Sequence, residues 1–373
     1  MKRLILFAVF SFLLTSLSAQ TNEFTEVDHF AASVGYYPPD TLAKILTTPY
    51  NTDLKKVRSI FYWITKHIAY DIEKAKGDRH VHFTYYTRQD SLKKVRDLIG
   101  QTVTDKKGIC QDYADLFSLL CEYAKIKTVV VGGYARSYSD NAGTEKQEDH
   151  AWNAVMIDNK WHLLDATWAS GYIKGNGLYT PKFNNYYFLT DPELMKLNHY
   201  PEDPKWLLTK KTFTLDEFFK LPTIFFDHAE NKVRGFLPRN GVIDARIGSS
   251  LKFAFEVDDT TNNIDVVAYP YEQTHPNYRT SYADYAHPAG PAVAAASTTA
   301  SSTGRHYIQV TNNIDDIYNE AHKQSVKATP KDEGYIAGKN RVIRNFQVNG
   351  PVEEIHVYYN DELMMKYNVN IIK

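Results

Sequence analysis

Cysteine is nearly missing from this chain: only Cys110 and Cys121 occur in 373 residues, so at most one disulfide can form. A charge bias is missing too. Lys and Arg number 43 against 44 Asp and Glu, a formal charge of −1, with no basic block. That balance argues against nucleic acid as the main partner. Past the first twenty residues no apolar run is long enough to cross a bilayer. Internal repeats are absent as well.

What is present begins with "MKRLILFAVFSFLLTSLSAQ". Lys2 and Arg3 precede an uncharged apolar run from Leu4 to Leu14, and small residues end at Ala19, the layout of a secretory signal peptide. Leu17 at the −3 position is less usual than a small residue, and no cysteine near the cut offers a lipid anchor. The expectation is export to the periplasm or beyond, with residues 1–19 removed. Loss of Lys2 and Arg3 would move the formal charge from −1 to −3.

The two thiols raise a geometric question. If "CQDYADLFSLLCEYAK" is one helix, eleven residues make about three turns, and both thiols point roughly one way. The rise then separates them by about 16 Å, whereas a disulfide needs Cα atoms about 4.4–6.8 Å apart. The pair cannot bridge. Cys121 falls on the apolar stripe of Leu116, Phe117, Leu120 and Ala124 and reads as core.

Upstream, Leu54, Val57, Ile60, Phe61, Ile64 and Ile68 recur at helical spacing, with Asp53 or Thr52 as N-cap. A polar loop over residues 73–90 and a short helix around "QDSLKKVRDLIG" follow. "KTVVVGGYARS" predicts a strand broken at Gly132-Gly133. "HAWNAVMI" and "KWHLLDATW" predict a hairpin about an Asp158-Asn159 turn. From about residue 212 the short runs "LKFAFEV", "IDVVAY", "HYIQV", "RVIRNFQV", "IHVYY" and "LMMKYNV" predict an antiparallel β-sandwich, with residues 289–304 a simple-composition loop. The 27 tyrosines scatter along the chain and suit β packing or a sugar-binding surface equally.

With that turn, paired residue numbers in the hairpin sum to 317. His150 then opposes Thr167, Asp165 opposes Trp152, and His150 and Asp165 become diagonal neighbours on one face. An imidazole held by a carboxylate is the base-and-orienter half of a nucleophilic triad. Cys110 suits the missing nucleophile: a helix N-terminus favours thiolate, Gly108 allows a close approach, and the Cys110 N–H can donate to an oxyanion.

"GICQDYADLF", "HAWNAV" and "WHLLDATW", in this order, resemble the transglutaminase-like core, a branch of the papain-like cysteine enzymes. "FYWITKHIAYD" and "YPEDPKWLL" resemble its bacterial exported and kyphoscoliosis-peptidase-like versions. The resemblance spans roughly residues 50–210. It implies an α+β papain-like domain over residues 20–211; the alternating runs beyond it make residues 212–373 a β-rich, Ig-like domain. It further implies Cys110 as nucleophile, His150 as general base and then acid, and Asp165 as orienter. The chemistry implied is acyl transfer from a peptide or glutamine-type amide, with hydrolysis by a peptidase or amidase preferred. Transglutaminase cross-linking and a non-catalytic extracellular binding or scaffold module are the alternatives.

Thr104 stands where papain-type sequences carry a glutamine six residues before the cysteine, so the second oxyanion donor has no obvious source. Trp63, whose indole N–H could serve, and Gln101 are the candidates; Trp152 and Trp168 are candidates for the wall of the site or for sheet core. No acidic cluster resembles the calcium sites of animal transglutaminases. His80 and His82 in "DRHVHF" lack a nearby third ligand and read as loop histidines; His199 in "NHYPEDP" could touch the site, with a structural role preferred. The expected partner is a protein or peptide substrate, without nucleic acid, membrane segment, metal or cofactor. Oligomeric state is left open.

Overall fold

The computed structural model describes residues 24–77, 88–137, 142–174, 177–225, 233–257, 264–269 and 341–372. The leader, His80 and His82, the 289–304 loop and the "HYIQV" strand lie outside those residues. The chain divides into two compact units. One takes the described residues up to Val131 with 151–172 and 179–190, and the other takes 132–150, 173–178 and those from 191 onward.

The first unit opens with three helices, α1 (Thr25–Ser33), α2 (Pro39–Thr47) and α3 (Asp53–His67). Thr52 caps α3, accepting from Lys55 N–H at 3.4 Å, one of the two predicted caps. The apolar residues Val57, Ile60, Phe61 and Ile64 are buried, as their spacing predicts. Arg58, Ser59 and Thr65 are buried on the same helix, which no apolar periodicity signals. The predicted 73–90 loop contains a further short helix, α4 (Ile72–Lys76), because Asp71 caps it by accepting from Lys74 N–H. Helix α5 (Arg88–Asp105) is longer than expected and runs through Gly100, where a Cβ would meet nothing within 4 Å.

Two short parallel strands, β1 (Ala69–Tyr70) and β2 (Lys107–Gly108), stitch the end of α3 to the segment leading into α6 (Cys110–Tyr123). Helix α6 is a single helix, and neither Cys110 nor Cys121 is in a disulfide. A four-stranded sheet of order β5-β4-β3-β8 follows, built from β3 (Thr128–Ala135), β4 (His150–Ile157), β5 (Lys160–Leu164) and β8 (His199–Pro201). Strand β3 runs through Gly132 and Gly133 without the predicted break. A side chain on Gly132 would collide with the Glu148 carboxylate, so the glycine serves close approach, not interruption. Between β5 and β8 lie the short helix α7 (Ala166–Ser170), the strand pair β6 (Gly171–Ile173) and β7 (Tyr179–Pro181), and helix α8 (Pro192–Met195).

After helix α9 (Leu215–Lys220) the elements among the described residues are all strands. Three strands, β10 (Val233–Leu237), β12 (Ser250–Val257) and β14 (Arg341–Gln347), make one antiparallel sheet. The other holds β11 (Val242–Ala245), β16 (Glu362–Ile371), β15 (Glu354–Tyr359) and β13 (Ile264–Tyr269), with β9 (Thr223–Ile224) beside β16. Rings of the two sheets meet where Phe253 packs edge-on against Tyr367 at 5.3 Å, the sandwich that alternation predicts. The departure from an antiparallel plan is β11, which pairs parallel to β16.

On β15 and β16 a charged trio sits in the sheet: Glu354 contacts His356 Nε2 at 2.8 Å and Lys366 Nζ at 3.2 Å. Burial opposes charge on Glu354, but the His356 N–H and the Lys366 ammonium prevail and hold its carboxyl at about 2. Burial pushes His356 below its usual range against the pull of that carboxylate, so the neutral ring donates from Nε2. A folded pKa below the unfolded value of 4.5 gives stability that is present above about pH 4.5 and lost as pH falls towards 2. The lowered His356 adds a loss beginning below its unfolded value of 6.5. Glu354→Gln is therefore expected to destabilise the folded chain by at most about 3 kcal/mol at neutral pH. Melting curves of parent and variant should converge near pH 2; a gap that stays constant with pH would refute the trio's role.

Candidate active site

Cys110 is the first residue of α6 and is 6 % exposed. The turn before it is held by Asp112, whose carboxylate accepts from the Ile109 N–H at 2.8 Å and pairs with Lys74 at 2.6 Å. Ile109 has no side-chain acceptor to return, so this is half of a capping box. Gly108 makes the arrangement fit: a Cβ there would lie 2.6 Å from the Asp112 Cβ. The close approach expected of Gly108 is thus to Asp112 of the same turn. Cys121, at the other end of α6, is fully buried, and burial pushes its thiol well above the usual range.

The hairpin has the predicted register. Ile157 pairs with Lys160 and Asn153 with Leu164, and both Asp158 and Asn159 adopt positive φ, 49° and 60°. The ladder stops at Leu164, however, so Asp165 does not oppose Trp152 on a strand. Asp165 instead caps α7, its Oδ1 accepting from the N–H groups of Thr167 at 2.8 Å and Trp168 at 3.0 Å. It is fully buried, and its backbone N–H donates to Tyr187 at 3.0 Å. The expected neighbours nevertheless come together: donor atoms of His150, Asp165 and His199 all lie within 4.8 Å of one another. All three residues are buried, at 4 %, 0 % and 1 % exposure.

The hairpin also meets the thiol-bearing helix. Asn153, three residues along β4 from His150, donates from Nδ2 to the Ala114 carbonyl at 3.0 Å and to Ser118 Oγ at 3.1 Å. Ala114 and Ser118 are one and two turns into α6 from Cys110. Thr128 of β3 donates to the same Ser118 Oγ at 3.1 Å. The sequence offered "HAWNAV" as a motif, but Asn153's part in joining strand to helix becomes visible only through its partners.

His199 lies with His150 and Asp165, the less favoured of the two readings its sequence allows. Its strand β8 pairs with β3, Ala135 opposite His199, and this brings the ring beside His150 with centroids 5.2 Å apart. A long-range strand pairing is the cause, and nothing local to "NHYPEDP" announces it. Trp63 corrects in the opposite direction. Its indole N–H donates to the Val34 carbonyl at 3.0 Å and its ring stacks on His67, so it is committed within the helical layer and is no oxyanion donor. Gln101 is exposed on α5, and Thr104 is exposed with its hydroxyl donating to the Gly100 carbonyl. Trp152 and Trp168 are buried, Trp168 edge-on to Tyr187 at 5.5 Å.

Two imidazoles and a carboxylate at this spacing could ligate a transition metal or supply the acid–base half of a thiol triad. The comparisons bear on that choice. Residues 40–166, which hold Cys110, His150 and Asp165, match the model of the transglutaminase-like superfamily. The matched stretch is mixed helix and sheet, with further sheets after it. Human kyphoscoliosis peptidase is 33% identical over 209 residues, 55% of this chain and 30% of that protein. Hillarin from Drosophila melanogaster is 30% identical over 220 residues, 54% of this chain and 25% of that protein. The chain thus spans under a third of the length of these curated relatives. A solved TGase structure aligns at 19% identity over 48% of this chain and 40% of that one, with a TM-score of 0.26, too low to carry an argument.

Proposed function

We propose that this domain is a cysteine-dependent acyl transferase acting on peptide or glutamine-type amides, with water as the usual acceptor. The observation that carries the reading is the meeting of parts: Cys110 starts a helix that Asn153 ties to the strand beginning at His150, and Asp165 lies with His150. His150 takes the Cys110 thiol proton, and the sulfur attacks the amide carbonyl carbon. As the tetrahedral adduct collapses, the C–N bond breaks and the imidazolium gives its proton to the departing amine. His150 then deprotonates water, which opens the thioester and returns the thiol. The Cys110 backbone N–H, at the positive end of α6, is the proposed oxyanion donor.

The peptidase version takes support from the name of the relative, kyphoscoliosis peptidase. Incubation with a glutamine-containing protein and a labelled primary amine tests it. Hydrolysis should exceed amine incorporation, and both should vanish in Cys110→Ala. Amine incorporation in excess would overturn the hydrolytic version in favour of transamidation. Unchanged turnover in a folded Cys110→Ala would overturn acyl transfer altogether. Export through the N-terminal leader is proposed on the sequence alone, and N-terminal sequencing of the secreted protein, expected to start near residue 20, checks it.

A further inference from the structure

His199 has no part in the chemistry above, yet it is packed where that chemistry is proposed to occur. Its ring lies 5.2 Å from that of His150, centroid to centroid, inclined by 54°. It is 1 % exposed and is fixed at both main chain and side chain. Strand pairing sets it opposite Ala135, and the neighbouring Asn198 carbonyl accepts from Arg136 N–H at 2.9 Å. Its Nδ1 lies 2.7 Å from Asn198 Oδ1, and Asn198 is itself fully buried.

That last contact has one direction: an amide oxygen only accepts, so Nδ1 donates to Asn198 Oδ1. A base that must first take a proton from sulfur and then return it to nitrogen depends on a fixed ring orientation. A rigid neighbour packed against the ring can provide that.

We propose that His199 is a positioning residue for His150: its ring, tied at Nδ1 to Asn198, packs on His150 and holds that imidazole in the orientation acyl transfer requires. The inference rests on the triad reading of Cys110, His150 and Asp165, so its test must separate the two. The readout is the rate of Cys110 alkylation by iodoacetamide in the full-length protein, followed by mass spectrometry alongside the melting temperature. His199→Phe keeps a ring of similar breadth and loses both nitrogens; it should melt close to the parent and label Cys110 about tenfold more slowly. Asn198→Leu, which removes the acceptor and leaves His199 in place, should slow labelling in the same direction. It serves as the second variant should His199→Phe fail to fold. Combined with His150→Ala, His199→Phe should add no further loss, because its effect runs through His150.

Parental labelling in folded His199→Phe and Asn198→Leu, beside slow labelling in His150→Ala, would overturn this inference alone. An additive loss in the double variant would overturn it too. Parental labelling in His150→Ala would overturn the triad, and this inference with it.

Discussion

Asp165→Asn should fold almost as well as the parent and lose about four orders of magnitude in amide turnover. The carboxylate holds two positions at once. Its Oδ1 caps α7 by accepting from Thr167 and Trp168, and the same side chain lies within 4.8 Å of the donor nitrogens of His150 and His199. An asparagine keeps a carbonyl oxygen for both cap bonds, so the helix end survives. It removes the negative charge that would steady the imidazolium and can present an N–H where His150 needs an acceptor, which disfavours the working tautomer. Asp165→Ala loses the cap as well and should cost about 1–2 kcal/mol of stability in addition. Denaturant unfolding together with turnover separates the two roles. If Asp165→Asn unfolded as easily as Asp165→Ala while both kept turnover, Asp165 would be a structural cap and the triad would lack its third member.

The largest stability effect is expected at Arg58, far from any chemistry in sequence. The guanidinium forks onto Asp28, Nε to Oδ1 and Nη2 to Oδ2 both at 2.7 Å, while Nη1 reaches Asn185 Oδ1. Rings of Phe24, Phe183, Phe188 and Tyr62 surround the cation at 4.6–5.6 Å from their centroids. Each cation–π contact contributes about 0.5–1 kcal/mol; stranding the partner carboxylate costs more. Asp28 is 19% exposed at its side chain, so it would be only partly rehydrated once its partner left. Arg58→Ala should therefore destabilise by about 3–5 kcal/mol. Arg58→Lys should recover little, since an ammonium cannot supply the planar fork. Arg58→Met with Asp28→Leu removes both charges and should lie far closer to the parent. Urea titrations of the four proteins would check the order, and a double variant weaker than Arg58→Ala would show that the pair itself drives stability.

Local pattern in the sequence was enough to place the parts whose physics is local. Asp158 and Asn159 tolerate positive φ, and this set the hairpin register that Ile157–Lys160 and Asn153–Leu164 display. Helical spacing put Cys121 in the core and Cys110 at a helix start, and alternation marked five strands that the sandwich contains. Tertiary structure alone decided which side chains share the site. Trp63 spends its N–H on Val34, 29 residues earlier, and Asn153 finds the Ala114 carbonyl 39 residues earlier. His199 reaches His150 only because β8 closes the sheet against β3. The burial of Arg58 is likewise unannounced by helical spacing, and it is tolerated because Asp28 and Asn185 arrive from opposite ends of the chain's first half. Such pairings depend on chain crossings whose cost and gain are set by the whole fold, so a short window of sequence carries no signature of them.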